Sequence, residues 1–246
     1  MKKFLRSLST LALAAGGYLG AKALVTVVFA TGPTPADLID LHLGQEPTRS
    51  VYQAMFTYFP AEAMALRSAL VAVAGAGRVT DETLIRMAET GRGIRAPLAR
   101  FLAGAPEAEI VALLDDQIGL YQRFADEPAT CALVVARGLQ ALPAEDPRRT
   151  PPDLAPMMGR LFATMSAYRH AAPRVPPAED MDYLRLEAAM TGAGLTPGAL
   201  DHVVANDPSD PQLCGAYLGM LTVLRDAGFD GADRLRTEVM IALATG

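Results

Sequence analysis

The chain has 246 residues, a net charge of −5, no tryptophan and a low aromatic content. Four of its basic residues and none of its acidic residues precede residue 31, so residues 31–246 carry a net charge of −9. Nucleic acids and anionic lipid surfaces attract basic protein surfaces. We therefore expect no nucleic-acid partner, and we expect an acidic body joined to a basic, apolar leader.

The leader begins with two lysines and an arginine, and only Lys22 interrupts the apolar run that follows. As a helix, residues 8–30 would extend about 34 Å, which is enough to cross the hydrocarbon core of a bilayer. The positive-inside rule places the basic start in the cytoplasm. Residues 1–30 are therefore predicted to be a signal-anchor whose residues 8–30 lie in the bacterial inner membrane, with the body in the periplasm.

Two other interpretations of the leader stay open. Small residues at 21, 23, 28 and 30 fit a signal-peptidase site, so residues 1–30 could be a signal peptide whose cleavage releases the body into the periplasm. An ammonium group inside a bilayer is costly unless it reaches the interface. Lys22 therefore leaves open a cytosolic protein whose first helix packs in its own core.

The body shows helical periodicity nearly throughout and little alternation typical of strands. We predict an all-α fold, with the N-terminal membrane helix followed by an irregular multi-helix bundle or helical array in one domain, 31–246. About eight to ten helices are expected in this domain. The segments predicted as helices from residue 106 onward are 106–126, 130–142, 153–171, 178–192, 197–205, 209–228 and 231–244.

Two segments are expected to interrupt the helices. Gly91, Gly93 and Pro97 follow a helix start near Asp81, which predicts a kink or two short helices, because proline removes a backbone donor and clashes with the preceding turn. Residues 143–152 are rich in proline and charge. They predict a loop and, as an open alternative, a boundary between two subdomains.

Cys131 and Cys214 are the only cysteines of the chain. In an oxidising compartment they could form a disulfide that closes a loop of about 80 residues, worth about 4 kcal/mol in the chain-entropy model. The alternative is two separate buried thiols. Neither cysteine has a cysteine or histidine at ligand spacing, so no metal site is predicted. No cofactor-binding motif is recognised either.

Five arginines fall between Arg78 and Arg100. Gly91 and Gly93 lie among them and would let backbone N–H groups approach an anion. The candidate anion-binding residues are Arg86, Arg92 and Arg95. The alternative is a solvated helix face that nearby acidic residues balance.

No catalytic constellation is recognisable, so no catalytic residue is assigned. The expected function is that of a membrane-anchored, envelope-facing helical protein with a non-enzymatic binding or scaffolding role toward a protein partner. The alternative is a small-ligand-binding protein or an enzyme with an anion pocket around Arg78–Arg100. In the enzyme, His170 or His202 would act as acid or base. A deep pocket that joins these residues would favour the alternative.

Overall fold

The computed structural model describes residues 34–75, 81–143 and 145–245 of the chain. Every regular element in these residues is helical, and none of the described segments forms a strand. The α-helices are α1 (Pro35–Leu43), α2 (Thr48–Tyr58), α3 (Pro60–Ala74), α4 (Asp81–Ala99), α5 (Glu107–Gln122), α6 (Pro128–Arg137), α7 (Leu154–Ala167), α8 (Asp180–Gly192), α9 (Ala199–Ala205), α10 (Leu213–Asp226) and α11 (Ala232–Thr245). Short 3-10 segments cover Arg100–Gly104, Leu139–Ala141 and Pro147–Arg149. The all-α prediction is confirmed.

The amphipathic pattern explains which helix faces are buried. The stripe of α5 that the periodicity predicts to be apolar is buried throughout, and so are the predicted faces of α10 and α11. The buried residues of these three faces are Ile110, Leu113, Leu114, Ile118, Tyr121, Leu213, Tyr217, Met220, Leu221, Leu224, Leu235, Val239, Ala242 and Leu243. Burial of these faces is the main source of stability for helices of this length.

The segment with Gly91, Gly93 and Pro97 does not divide into two short helices, so that alternative is wrong, and a kink at these residues stays a prediction. One α-helix, α4, runs through all three residues and ends two residues after Pro97, where the chain continues as the 3-10 segment Arg100–Gly104. Pro97 lacks the N–H that would bond to the carbonyl of Gly93, so one intrahelical hydrogen bond is missing near the C-terminal end of α4.

Helix α1 is absent from the sequence-based prediction, although its start signal is strong. Thr34 and Asp37 form a capping box, in which the N–H of Thr34 donates to Oδ2 of Asp37 at 2.8 Å and the N–H of Asp37 donates to Oγ1 of Thr34 at 3.3 Å. Pro35 occupies the first turn, where a missing N–H costs nothing. The helix extends the body toward its N-terminal side and packs on α2 and α3.

Helix α10 lies in the centre of the C-terminal half, since it packs against α5, α6, α8, α9 and α11. Arg236 on α11 is buried and secures one end of α10. Its Nε donates to the carbonyl of Leu224 at 2.6 Å, a second donor binds the carbonyl of Ala227, and the guanidinium pairs with Glu107. These contacts satisfy carbonyls that a helix end leaves without intrahelical partners.

Asp182 joins α8 to α11 from a fully buried position. Its carboxylate accepts hydrogen bonds from Nε and Nη2 of Arg234 at 2.8 and 2.7 Å, and one from the N–H of Glu179 at 2.9 Å. These bonds, those of Arg234 first, lower the pKa of Asp182. Gly231 has a φ of +90°, and a Cβ at that position would overlap the carboxylate of Asp182. Glycine is therefore required where the ion pair is packed.

No helix in residues 34–75, 81–143 and 145–245 combines the length and apolar character that a membrane span requires. The predicted anchor or signal peptide at 1–30 lies outside the described residues. Residues 143–152 include the 3-10 segment Pro147–Arg149. A subdomain boundary at 143–152 stays a prediction.

Candidate functional site

A cavity of about 140 Å³ lies between the helices. Helices α1 to α7, the 3-10 segment Leu139–Ala141 and α11 all contribute lining residues. Most of the lining is aliphatic or thioether, with side chains such as Met55, Leu66, Leu120, Met158 and Leu243. Concave, mainly apolar spaces with a few polar groups are typical of small-molecule sites.

Helix packing explains why this space exists. Helix α2 packs on α3 and α7, α4 packs on α3 and α11, and α5 packs on α7 and α11. The cavity is the space that these pairs enclose. Its lining residues run from His42 to Ala244 in sequence, so the site depends on the whole arrangement of helices rather than on one motif.

Polar side chains occur at several places in the lining. Tyr121 lines the cavity, and burial raises its pKa to about 12, so its hydroxyl stays protonated at neutral pH. Its ring packs edge-on against Tyr217, with 5.0 Å between the ring centroids. Gln140 also lines the cavity and donates a hydrogen bond to the carbonyl of Arg137. Both side chains are thus held in place by contacts with neighbouring residues of the chain.

Gly138 positions the Gln140 side chain. Its φ is +75°, and a Cβ added there would lie 2.6 Å from Nε2 of Gln140. Side chains other than hydrogen are strained at this φ. The chain can therefore turn from α6 into Leu139–Ala141 and place Gln140 at the cavity only because residue 138 is glycine.

Arg95 is the one arginine among the described lining residues, and none of these residues is aspartate or glutamate. It lies near the end of α4 and is partly exposed. A Cβ on Gly91, another lining residue, would lie 3.3 Å from Nη1 of Arg95. The guanidinium therefore lies over the surface of α4 that glycine leaves open. Burial, followed by the charge of Arg92, lowers the pKa of Arg95 to about 10, and the group stays charged at neutral pH.

The structure brings one of the three predicted anion-binding arginines to the cavity. Only Arg95 lines the cavity, whereas Arg86 is exposed and Arg92 is partly exposed on α4. The helical spacing places Arg86 about 180° around α4 from Arg95, whereas Arg92 lies on the same face as Arg95, about 60° away, and is not among the lining residues. The three side chains therefore do not together form an anion pocket at the cavity.

The two histidines considered as acid or base do not line the cavity. His170 is exposed, and its Nε2 accepts a hydrogen bond from Nε of Arg169 at 3.1 Å. Nδ1 of His202 lies 2.6 Å from Oδ2 of Asp210. His42, which the sequence did not single out for chemistry, is the histidine in the lining.

Cys131 and Cys214 lie at bonding distance, with 1.99 Å between their sulfur atoms and 5.4 Å between their Cα atoms. Both are buried, and the bond joins α6 to α10. Val134, one turn after Cys131, lines the cavity. Tyr217, one turn after Cys214, packs on Tyr121, which also lines it. The disulfide therefore links two helices whose next turns line the cavity or pack against a lining residue.

No group of three or more histidine, cysteine, aspartate or glutamate side chains within the described residues could hold a metal ion. Sequence reasoning missed nearly all of the cavity lining, because those residues are ordinary core residues on eight helices. Only their three-dimensional arrangement distinguishes them from the rest of the core.

The comparisons with known proteins assign no family to the chain. No family model matches it, and neither the search of curated proteins nor the search of solved structures finds a similar protein. The fold and the cavity are therefore the basis for any proposal about function.

Proposed function

We propose that this protein binds a small, mainly apolar molecule in the cavity between α2, α4, α5, α7 and α11. The observation that carries the proposal is the cavity itself, a space of about 140 Å³ with a mainly apolar lining. Apolar cavities of about 150 Å³ can take up a molecule of the size of benzene. A single ring or a short acyl chain fits this volume.

We place this binding body in the bacterial envelope. The support is the leader at 1–30 together with the geometry of Cys131 and Cys214, since disulfides persist mainly in oxidising compartments. In the proposal the leader tethers the body to the inner membrane, and the body faces the periplasm. Cleavage of the leader and release of the body is the alternative form of the same proposal.

A protein-binding role is the second candidate. The feature in its favour is on α8, where Met181 and Leu184 lie one turn apart and are each more than half exposed. Single exposed apolar side chains are common on monomeric proteins, whereas well-formed, mainly apolar pockets are few. We therefore rank ligand binding first.

The test fills the cavity and measures binding. Ala88 lines the cavity on α4, and Ala88→Leu adds three heavy atoms to that wall. Ala72 is exposed on α3 and does not line the cavity, so Ala72→Leu is the matched control. Binding of benzyl alcohol and of hexan-1-ol to the full chain in mild detergent is measured by ligand-observed NMR against a detergent blank.

We expect both neutral probes to bind the unmodified chain and the Ala72→Leu control. Ala88→Leu is expected to weaken their binding at least tenfold, because the added methyl groups occupy the ligand volume. Circular dichroism verifies that both variants keep the helical fold. Failure of both probes to bind, or equal binding by the two variants, would show that the cavity is not a ligand site.

A further inference from the structure

Large apolar side chains are exposed on the first three helices of the described body. Leu41 on α1, Phe56 on α2 and Met64 on α3 are each about half exposed. Such side chains are common singly on a protein surface, whereas a group of them marks a contact with another protein or with a membrane. The distinction depends on whether the three side chains lie together.

An ion pair joins two of the helices that carry these side chains. Nε and Nη2 of Arg67 on α3 donate to the carboxylate of Asp40 on α1 at 2.5 and 2.6 Å. Leu41 directly follows Asp40, and Met64 lies one turn before Arg67 on the same side of α3. Both exposed side chains therefore lie beside the ion pair.

Phe56 is connected to the same ion pair through Tyr52. The rings of Phe56 and Tyr52 on α2 lie 6.3 Å apart between their centroids. Tyr52 lies near Arg67, since it also raises the pKa of Arg67, after the hydrogen bond and the charge of Asp40. The exposed side chains of all three helices thus lie around one ion pair. We call them the apolar surface, which consists of Leu41, Phe56 and Met64.

The position of the leader indicates what the apolar surface faces. The predicted membrane span ends at residue 30, and α1 begins at Pro35. At most about 14 Å of extended chain separates residue 30 from Thr34. Leu41 lies about 10 Å further along α1. A connection this short holds α1, and the helices packed on it, beside the bilayer that contains the leader.

The charges near the apolar surface favour contact with lipid through the apolar side chains. Asp40 and Arg67 neutralise each other, and Asp37, one turn before Leu41, accepts hydrogen bonds from Thr34. These residues carry no excess of positive charge, so attraction to anionic headgroups does not supply the binding. Apolar side chains of peripheral elements instead insert at the boundary between headgroups and acyl chains.

We propose that the apolar surface inserts into the face of the bilayer to which the leader tethers the body. This inference rests on the envelope placement in the proposed function and adds how the body sits on the membrane. Tyr52 lines the cavity and packs on Phe56. Insertion therefore brings one lining residue next to the lipid, the phase in which small apolar molecules collect.

The test uses the absence of tryptophan from the chain, which makes an introduced tryptophan a unique reporter. Phe56→Trp places the reporter on the apolar surface, Phe29→Trp places it in the predicted span, and Leu184→Trp places it at a similarly exposed position of α8. Each full-length variant is reconstituted into phosphatidylcholine vesicles with or without bromine on the acyl chains. Bromine quenches tryptophan emission only at short range.

We expect brominated lipid to remove most of the emission of Phe56→Trp and Phe29→Trp and to leave that of Leu184→Trp unchanged. The emission of Phe56→Trp should also lie at shorter wavelength than that of Leu184→Trp, because its indole leaves water. Circular dichroism verifies that the variants keep the helical fold.

A second set of variants tests the neighbours of the reporter. Adding Leu41→Gln and Met64→Gln to Phe56→Trp is expected to reduce the quenching severalfold, because both changes make insertion less favourable. The matched control adds Met181→Gln, at a similarly exposed position of α8, and is expected to leave the quenching unchanged. Equal quenching with all three additions would overturn the role of the apolar surface.

The outcomes separate this inference from the placement on which it rests. Quenching of Phe29→Trp without quenching of Phe56→Trp would overturn the inference and leave the tether standing. If neither reporter is quenched, the tether and the inference are both wrong. Emission of Phe56→Trp at shorter wavelength without quenching would also overturn the inference, because protein rather than lipid then covers the surface. Equal quenching of Phe56→Trp and Leu184→Trp would show that lipid contact is not specific to this surface.

Discussion

The ion pair between Asp182 and Arg234 gives the sharpest prediction about stability. Asp182→Asn retains the size of the side chain and removes its charge. The variant leaves the guanidinium of Arg234, whose side chain is 18% exposed, with only the carboxylate of Asp230, which is largely exposed and 4.0 Å away. The amide also presents one acceptor oxygen where the carboxylate presents two, so the bidentate pair and the bond from the N–H of Glu179 cannot all form.

The expected magnitude follows from the burial of the pair. Removal of one partner from a fully buried ion pair costs about 3–5 kcal/mol. Arg234 retains some contact with water, which recovers part of this cost, so we expect Asp182→Asn to lower the free energy of unfolding by about 2–4 kcal/mol. For a domain of this size that loss corresponds to a decrease in Tm of roughly 5–15 °C.

The assay is thermal unfolding followed by circular dichroism, with Asp180→Asn as the matched control. Asp180 lies two residues earlier in the first turn of α8 and is exposed, so its variant makes the same charge change outside the ion pair. Loss of its interaction with the helix dipole is worth about 0.3–1 kcal/mol. If the two variants unfold within about 0.5 kcal/mol of each other, the ion pair does not stabilise the fold as the geometry implies.

The same variant gives a pH dependence with a definite sign. The pKa of Asp182 is lowered in the folded state, so its contribution is fully present above the pKa of the unfolded carboxyl, near 3.9, and is lost as the pH falls through the folded value. The difference in stability between the unmodified chain and Asp182→Asn should therefore be constant from about pH 5 to 7 and decrease below about pH 4. A difference that grows at low pH would contradict this reasoning.

Two further predictions concern covalent and capping contacts. The full chain, denatured without reductant, should show no free thiol in a thiol titration, and two titratable thiols would refute the disulfide. The double variant Cys131→Ala/Cys214→Ala should lower the free energy of unfolding by about 4.5 kcal/mol, since 83 positions separate the cysteines. Arg236→Met should lower the free energy of unfolding by about 3 kcal/mol in chemical denaturation, because it leaves the carbonyls of Leu224 and Ala227 at the end of α10 without their guanidinium donors. The control Arg225→Met, at a more exposed ion pair, should cost less than about 1 kcal/mol; an equal loss would contradict the capping role.

Local patterns predicted the helices well where each pattern acts alone. The buried stripe of α5 follows directly from its periodicity, and prolines open α3 and α6 because the first turn tolerates a missing N–H. The start signal of α1, which Thr34 and Asp37 form, is equally local, yet no helix is predicted there from the sequence. The expectation of two short helices at Pro97 is wrong, because the loss of one backbone hydrogen bond near the end of α4 does not outweigh the packing of this helix on α3 and α11.

The sequence by itself determined that this body is helical, acidic and built from short amphipathic segments, because periodicity, capping and charge are properties of neighbouring residues. Only the tertiary structure decided that α2, α4, α5, α7 and α11 enclose a cavity and that Arg95, rather than Arg86 or Arg92, lines it. The physical reason is that a cavity forms where side chains from segments distant in sequence leave a space unfilled, and no local pattern reveals such a space. The direction of a side chain around a helix also acquires meaning only when the neighbouring helices are in place.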